Sequence, residues 1–452
     1  MHIKSPFIDY TFLSALVLLI PLWSIPGTIA LRYFCVAILC FVIFYSKLDY
    51  GSILKNTRLL LLMYAYLLIQ LVFFSSNYNE AFHNFKSEWL KFIIFSLLGL
   101  GCGNFLVKLR LIRLTLYLGI LWTVPLLIHL CLSLIKWIEL GHIPIQYAGL
   151  SISHGDLAYS SIHATIFLSI FFLFQAKSLF DKAFTHILFL LILLSLLIAG
   201  SRGGVIFVFI SLFLVSLITF TASKLPLFIK KRTIMLLSSL CLLSFGVYAI
   251  AQYSDPIRWN STWEKISAGF KVNAWQISCQ GIASYENSLG QNGVDLTPSE
   301  KEMIQSLKSV DGSRVIALFT AINLIPQNIL GINQSKLAYF TALEKACPET
   351  KPLLLNAHNG WLDTALGIGL IGALFYLMVL INFFYKGIKA CQISNLDLLP
   401  YSVGLSVCSF VWILRSLIDS AQRDQMLEMQ IFVICLFYGF INKAGVKSMN
   451  RY

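Results

Sequence analysis

The sequence predicts an all-α polytopic membrane protein with about 12 transmembrane helices and one large extramembrane loop. Three observations predict it. Of 452 residues, 58 % are hydrophobic and only 12 % are charged, about half the charged fraction of an ordinary soluble domain. The apolar residues gather into runs close to the roughly 20 residues that a helix needs to cross a bilayer. Basic residues cluster in alternate connections between those runs, as the positive-inside bias asks of a multi-span chain. A soluble globular enzyme, a disordered chain, a collagen and a coiled coil are excluded.

The runs fall at about 8–24, 27–46, 58–76, 90–107, 113–135, 157–176, 184–200, 204–223, 233–252, 359–385, 400–418 and 425–442. The seventh and eighth are nearly continuous. Only Gly200-Ser201-Arg202-Gly203-Gly204 separates them, and its glycines relieve the backbone where two helix ends meet in a tight turn. Lys47, Lys55 and Arg58, then Lys108, Arg110 and Arg113, then Lys230, Lys231 and Arg232, then Lys386 and Lys389 share one side. Both termini are therefore expected in the cytoplasm. The same loops account for the net charge of +13 without a nucleic-acid partner.

Three domains are expected: transmembrane helices 1–9 over 1–252, a loop subdomain over 253–358 on the far side, and helices 10–12 with a short cytoplasmic tail over 359–452. The middle of the loop, Ser284–Ser306, reads as loop and short helix, with a helix start at Thr297-Pro298-Ser299-Glu300. Cys279 and Cys347 are the loop's two cysteines. They pair if the compartment is oxidising and are free thiols if it is not. Most of the other cysteines sit in apolar runs and act as small hydrophobes.

The far side gathers a set of charged residues that runs against the positive-inside bias and so asks for a function. Arg202 follows the seventh run, Arg314 lies in the loop, and His358 stands at the mouth of the tenth run. Lys86 and Lys91 flank the start of the fourth. Arg415 and Arg423 bracket the last far-side loop, near Asp419 and Asp424. Each has a bland reading. Arg202 suits the C-terminal end of a helix dipole, Arg415 and Arg423 suit ion pairs with the two aspartates, and Lys91 suits an interfacial anchor beside Trp89. Their shared location favours another reading. Arginine forks match phosphate oxygens, and a histidine whose ordinary pKa is near 6.5 can take a proton from a hydroxyl. Cations plus a base are what sugar transfer from a lipid diphosphate requires.

Competing chemistries lack their signatures. The sequence has no HExxH, no far-side cluster of metal ligands, no P-loop and no Gly-x-Ser-x-Gly elbow, so no metal or other cofactor is expected. His154-Gly155-Asp156 is a weak His–Asp pair, because residues two apart on a loop seldom face each other.

Leu196–Gly204 resembles the Ser-Arg-Gly turn of the bacterial O-antigen ligase and polymerase superfamily. Asn356-Ala357-His358-Asn359-Gly360-Trp361-Leu362, followed by Gly367–Gly372, is similar to that family's histidine motif and the helix after it. Gly312-Ser313-Arg314, ahead of Pro326 and Gly331, is similar to its loop arginine. The resemblance covers roughly 190–385 by motif. It implies a C-type glycosyltransferase architecture in the bacterial inner membrane, with a periplasmic loop and a periplasmic active site. It also implies transfer of a glycan from undecaprenyl diphosphate without a metal. By that resemblance Arg202 and Arg314 bind the donor diphosphate and His358 is the base. Lys91 or Lys86 fills the place of a basic residue on an earlier span, and Arg415 and Arg423 join the same basic wall. The stretches Ser416–Ser420 and Arg423–Glu428 resemble those of ligase-type members, whose acceptor is lipid A–core. The alternatives are an O-antigen polymerase or a protein O-oligosaccharyltransferase on the same donor. The non-enzyme alternative is a transporter of anionic lipid, which should show internal repeats and matching broken helices.

Overall fold

The structure, a computed structural model, describes residues 6–46, 57–109, 111–144, 147, 149, 154–222, 225–254, 261–289, 296–348, 354–393 and 395–449. Lys47, Lys55 and Arg110 lie outside them, as do parts of the expected loop subdomain. Among the described residues all regular structure is helical. Nine helices carry the first nine apolar runs: α1 (Pro6–Leu22), α2 (Ile29–Tyr45), α3 (Arg58–Phe73), α4 (Tyr78–Leu109), α5 (Leu114–Leu140), α6 (His154–Ile170), α7 (Leu179–Ile198), α8 (Arg202–Thr221) and α9 (Leu227–Ser254). A π-turn at Phe85–Trp89 interrupts α4, and another at Phe171–Gln175 extends α6.

Between α9 and the last spans lie six shorter helices: α10 (Thr262–Phe270), α11 (Ala274–Gln280), α12 (Ile282–Leu289), α13 (Pro298–Lys308), α14 (Val310–Leu324) and α15 (Ala338–Ala346). Then come α16 (Gly360–Cys391), α17 (Leu399–Arg415) and α18 (Asp424–Met449). Among the described residues eight helices are long and apolar enough to cross a membrane, and four apolar helices of 16 or 17 residues complete the expected twelve. Large apolar side chains such as Phe34, Phe44, Phe220 and Phe245 stand outward, which lipid tolerates and water does not.

Small residues set the centre of the bundle. Gly99 and Gly103 on α4 face α18 so closely that a Cβ at either would lie 2.3 Å from a carbonyl oxygen, that of Phe432 or Leu436. Gly439 meets α4 in the same way. Such stripes let helix backbones approach and pack where lipid supplies no hydrophobic drive. Helix α6 is buried along almost its whole length, and its Ser160, Ser161, His163, Thr165 and Ser169 face protein.

The short helices pack as one unit on the end of the bundle. Thr297 and Glu300 form a reciprocal capping box at the start of α13, as the Thr-Pro-Ser-Glu pattern predicts. Helix α14 touches both small cores, burying Ile316 in one and Ala317, Ala321 and Leu324 in the other. Cys279 of α11 and Cys347 after α15 are joined by a disulfide with a Cα–Cα distance of 5.1 Å.

Helix α16 is broken at Gly369, whose φ of +86° is non-helical. The segment Ile329–Gln334 enters this break. The Leu370 amide donates to the Ile329 carbonyl at 3.0 Å, and the Ile332 amide donates to the Leu366 carbonyl at 2.8 Å. A Cβ on Gly331 would lie 2.3 Å from the Gly369 nitrogen, so glycine is required at this crossing. Irregular backbone within a membrane needs partners for its freed polar groups. Helix α3 supplies them: the Tyr66 hydroxyl donates to the Ile368 carbonyl at 2.7 Å and Gln70 Nε2 to the Leu330 carbonyl at 3.3 Å. Asn333 then locks the segment to the head of α4, accepting from the Ser76 amide and hydroxyl and donating to Glu80.

Candidate functional site

The Gly200–Gly204 turn is built by local rules. Gly200 takes φ +68°. The Gly200 amide donates to the Leu197 carbonyl and the Ser201 amide to the Leu196 carbonyl, the two bonds of a Schellman helix end. Ser201 then caps α8, its hydroxyl accepting from the Gly204 amide. Arg202 is thereby fixed as the first residue of α8. Its guanidinium holds both carboxylate oxygens of Asp311, at 2.7 and 3.0 Å, and also donates to the Thr262 hydroxyl. Arg202 therefore ties the bundle to α10 and α14. Arg314 stands one helical turn after Asp311 on α14.

The histidine motif is an irregular loop clamped between α16 and the α17–α18 connection. His358 takes a left-handed φ of +49°, and its amide donates to Asn356 Oδ1 at 3.0 Å. Asp363 Oδ1 accepts from the Ala357 amide at 2.8 Å. Ser420 Oγ lies within hydrogen-bonding distance of both Asn356 Oδ1, at 2.8 Å, and Asp363 Oδ2, at 2.5 Å. Asn359 caps α16 and donates to the Leu417 carbonyl at 2.8 Å. The Gly360 amide reaches the carbonyls of Ser416 and Asp419.

Four of the predicted cations and the histidine converge. Arg415 is buried, donates to Asp419 Oδ2 at 2.7 Å, and lies over the rings of Tyr159 and Phe207. Its Nη1 would sit 2.6 Å from a Cβ on Gly203, beside Arg202. Arg314 acts electrostatically on both His358 and Asp419. Neither Arg314 nor Arg423 forms an ion pair among the described residues, and Arg314 Nε is buried without a hydrogen bond.

His358 makes no side-chain hydrogen bond among the described residues, and its Nδ1 is buried. Burial first, then the charges of Arg314 and Arg423, push its imidazole down to about 4 against the pull of Asp419. The ring is thus neutral at pH 7 and able to accept a proton, but it is a weaker base than the ordinary value of 6.5 implies. Burial alone would raise the Asp419 carboxyl; Arg415, Tyr159, Arg314 and His358 together outweigh it and hold the group below its usual range.

Other expectations fall elsewhere. Lys91 lies 3.5 Å from Glu428, in a separate buried network with Arg32, Tyr33 and Trp23. Lys86 is exposed and rests over the Phe82 ring. Neither lysine is among the charges that act on His358, which are Arg314, Asp419 and Arg423. Asp156 accepts from Gln425 at 2.8 Å, and the side chain of His154 lies outside the described residues. No group of metal-ligating side chains occurs among the described residues. Sequence reasoning did not foresee Asp311, Asp363, Tyr159 or Glu428. Asp311 directly precedes the Gly312-Ser313-Arg314 motif, and that adjacency was its available signal.

Residues 187–377 match the family model described as O-Antigen ligase. The match runs from α7 through the Ser-Arg-Gly turn, the short helices and the histidine loop into α16, and so contains Arg202, Arg314 and His358. It bears out the resemblance to the O-antigen ligase superfamily read from those motifs. No curated protein matches the chain.

Proposed function

We propose, from a chain that carries an O-antigen ligase domain over residues 187–377, that the protein transfers a polysaccharide from undecaprenyl diphosphate to a sugar hydroxyl of lipid A–core. It does so in the bacterial inner membrane, with both termini cytoplasmic and the 253–358 unit in the periplasm. The observation that carries the reading is His358: a neutral imidazole with a buried, unbonded Nδ1, in the field of two arginines without ion pairs.

The acceptor oxygen attacks the anomeric carbon and forms the new glycosidic bond. The bond from that carbon to the diphosphate oxygen breaks, and its electron pair leaves with the diphosphate. His358 takes the hydroxyl proton. Arg314 and Arg423 neutralise the departing charge, since neither is committed to a carboxylate; the bound diphosphate would also relieve their depression of the imidazole and strengthen the base. Arg202 must release Asp311 to touch the donor, so its first role is to hold α14 and aim Arg314. One displacement inverts the anomeric configuration. A lipid transporter is less well supported: paired broken helices belong to that reading, and Gly369 is the one non-helical interruption inside a span among the described residues.

The test is reconstitution of the full chain with the lipid-linked glycan and two acceptors, lipid A–core and a second lipid-linked repeat. Transfer to lipid A–core, abolished in a folded His358→Ala variant, is expected. Transfer to the lipid-linked repeat alone makes the protein a polymerase, and undiminished transfer by His358→Ala removes the base.

A further inference from the structure

Three side-chain oxygens join the histidine loop, α16 and the α17–α18 connection, and their protons can be counted. Ser420 Oγ lies 2.8 Å from Asn356 Oδ1 and 2.5 Å from Asp363 Oδ2. Both are hydrogen-bond distances. Backbone amides fix the polarity of the neighbours, because an amide N–H can only donate. The His358 amide meets Asn356 Oδ1 at 3.0 Å, so that atom is the oxygen of the side chain and not its nitrogen. The Ala357 amide meets Asp363 Oδ1 at 2.8 Å, so that oxygen carries no proton. Ser420 and Asn356 are both buried.

Two contacts therefore need a proton each, and the Ser420 hydroxyl has one. Asn356 Oδ1 has none to give, so the second belongs on Asp363 Oδ2. An ionised Asp363 would draw the hydroxyl proton to itself. Ser420 Oγ and Asn356 Oδ1 would then face each other at 2.8 Å with lone pairs on both sides. A protonated Asp363 donates to Ser420 and Ser420 donates to Asn356, so both contacts are satisfied. The surrounding charges leave the choice to this count. Arg423 and Asp419 act on Asp363 with opposite signs, Tyr339 of α15 interacts with it electrostatically, and Glu88 and Lys336, also opposite in sign, line a space that it shares.

We infer that Asp363 carries a proton in the folded chain and is a positioning residue for His358: its carboxyl donates to Ser420, so that Ser420 holds Asn356 and Asn356 holds the His358 amide. The inference rests on the ligase reading above, in which His358 is the base, and adds the group that aims it. The base needs such a support, because His358 sits in a left-handed conformation, at φ +49°.

Ionisation undoes the chain from its far end. The proton of Asp363 passes to solvent, the Ser420 hydroxyl turns to the new carboxylate, and Asn356 Oδ1 is pushed away. The His358 amide then loses its partner. Transfer is therefore bounded on both sides of the pH scale, by protonation of the imidazole on the acid side and by ionisation of Asp363 on the alkaline side.

The experiment uses the full chain in lipid nanodiscs, with undecaprenyl-diphosphate-linked glycan as donor and lipid A–core as acceptor. Asp363→Asn offers an N–H to Ser420 and an oxygen to the Ala357 amide, and so copies the protonated carboxyl at every pH. Asp363→Leu offers neither. Asp363→Leu is expected to lower kcat about tenfold with both KM values unchanged, and Asp363→Asn to restore kcat to within about twofold of the parent and to lose the alkaline limb. Equal loss in the two variants, an alkaline limb that persists in Asp363→Asn, or a parent without one overturns the assignment. Infrared difference spectra, parent minus Asp363→Asn, read the proton without turnover and serve also if Asp363→Leu fails to fold. The carbonyl stretch of a protonated carboxyl, fading along the alkaline limb, supports the inference. A carboxylate band alone, across the range in which the parent is folded, overturns it. Failure of the ligase reading shows differently, as the absence of transfer to lipid A–core by the parent chain, and leaves the infrared result legible.

Discussion

Arg415 and Asp419 lie four residues apart and meet at 2.7 Å across the end of α17, and the same carboxylate oxygen of Asp419 accepts from the Tyr159 hydroxyl at 2.8 Å. This carboxylate joins α6, α17 and the histidine site. Removing one partner of a buried pair leaves a charge without compensation, at a cost of about 3–5 kcal/mol. Asp419→Asn is therefore expected to lower thermal stability and abolish transfer. Arg415→Met combined with Asp419→Asn should recover stability but not activity, as read by melting in detergent and by transfer assay. Equal stability of the single and double variants would show that the pair is not structurally coupled.

Gly203 and Gly331 make contrasting demands. An alanine at 203 meets the far end of the Arg415 side chain, whereas one at 331 meets the backbone of α16 and must also hold φ +86°. The left-handed conformation alone costs about 1–3 kcal/mol. Gly331→Ala should reduce the yield of folded protein. Gly203→Ala should fold and melt close to the parent, yet lose activity through a displaced Arg415. Normal transfer by Gly203→Ala would detach Arg415 from the chemistry.

The depressed imidazole of His358 fixes a pH dependence. Because its folded value of about 4 lies below the ordinary 6.5, the unfolded chain binds the proton first. The associated stability is complete above about 6.5 and is lost as pH falls toward 4. The acid limb of kcat/KM, which reports the free protein, should fall with a midpoint near 4. In Arg314→Met the limb should move upward, since a charge that lowers the value is gone. A limb that stays in place in this variant would contradict the electrostatic link.

Arg202 and Asp311 test positioning against direct contact. Arg202→Lys keeps the charge but not the fork, and transfer should fall by roughly tenfold or more. Asp311→Asn should fall comparably, and the double variant by little more than either alone. Independent, additive losses would instead place Arg202 on the donor itself.

The disulfide joins residues separated by 68 positions. Closing a loop of that length stabilises by roughly 4 kcal/mol in the chain-entropy model. Reduction, or Cys279→Ser, should make α10–α15 accessible to protease while the twelve apolar helices stay protected. Identical proteolysis patterns would count against the bond in the native chain.

The apolar helices were readable because each is set by a run of local composition, and the bundle did not have to be known to find them. The turn at Gly200–Ser201 and the cap at Thr297 were readable for the same reason: their hydrogen bonds close within five residues. What escaped was long-range. Lys91 and Arg314 look alike as far-side cations, but one has found Glu428 and the other has no ion pair among the described residues. Such partner choice depends on contacts between distant parts of the chain, as with Arg202 and Asp311, 109 apart. The break at Gly369 was invisible because the segment that fills it, around Gly331, comes from a distant part of the chain.

The interruption at Gly369 divides α16 into two rods joined at a wedge, roughly 14 Å below its start at 1.5 Å per residue. The upper rod begins at the histidine loop, and the wedge is anchored to α3 and α4 through Tyr66, Gln70 and Asn333. The upper rod is held on one flank by Ile332 and Gln334 and on the other by the α17–α18 connection, so the histidine loop takes its orientation from these neighbours and not from the axis of the lower rod.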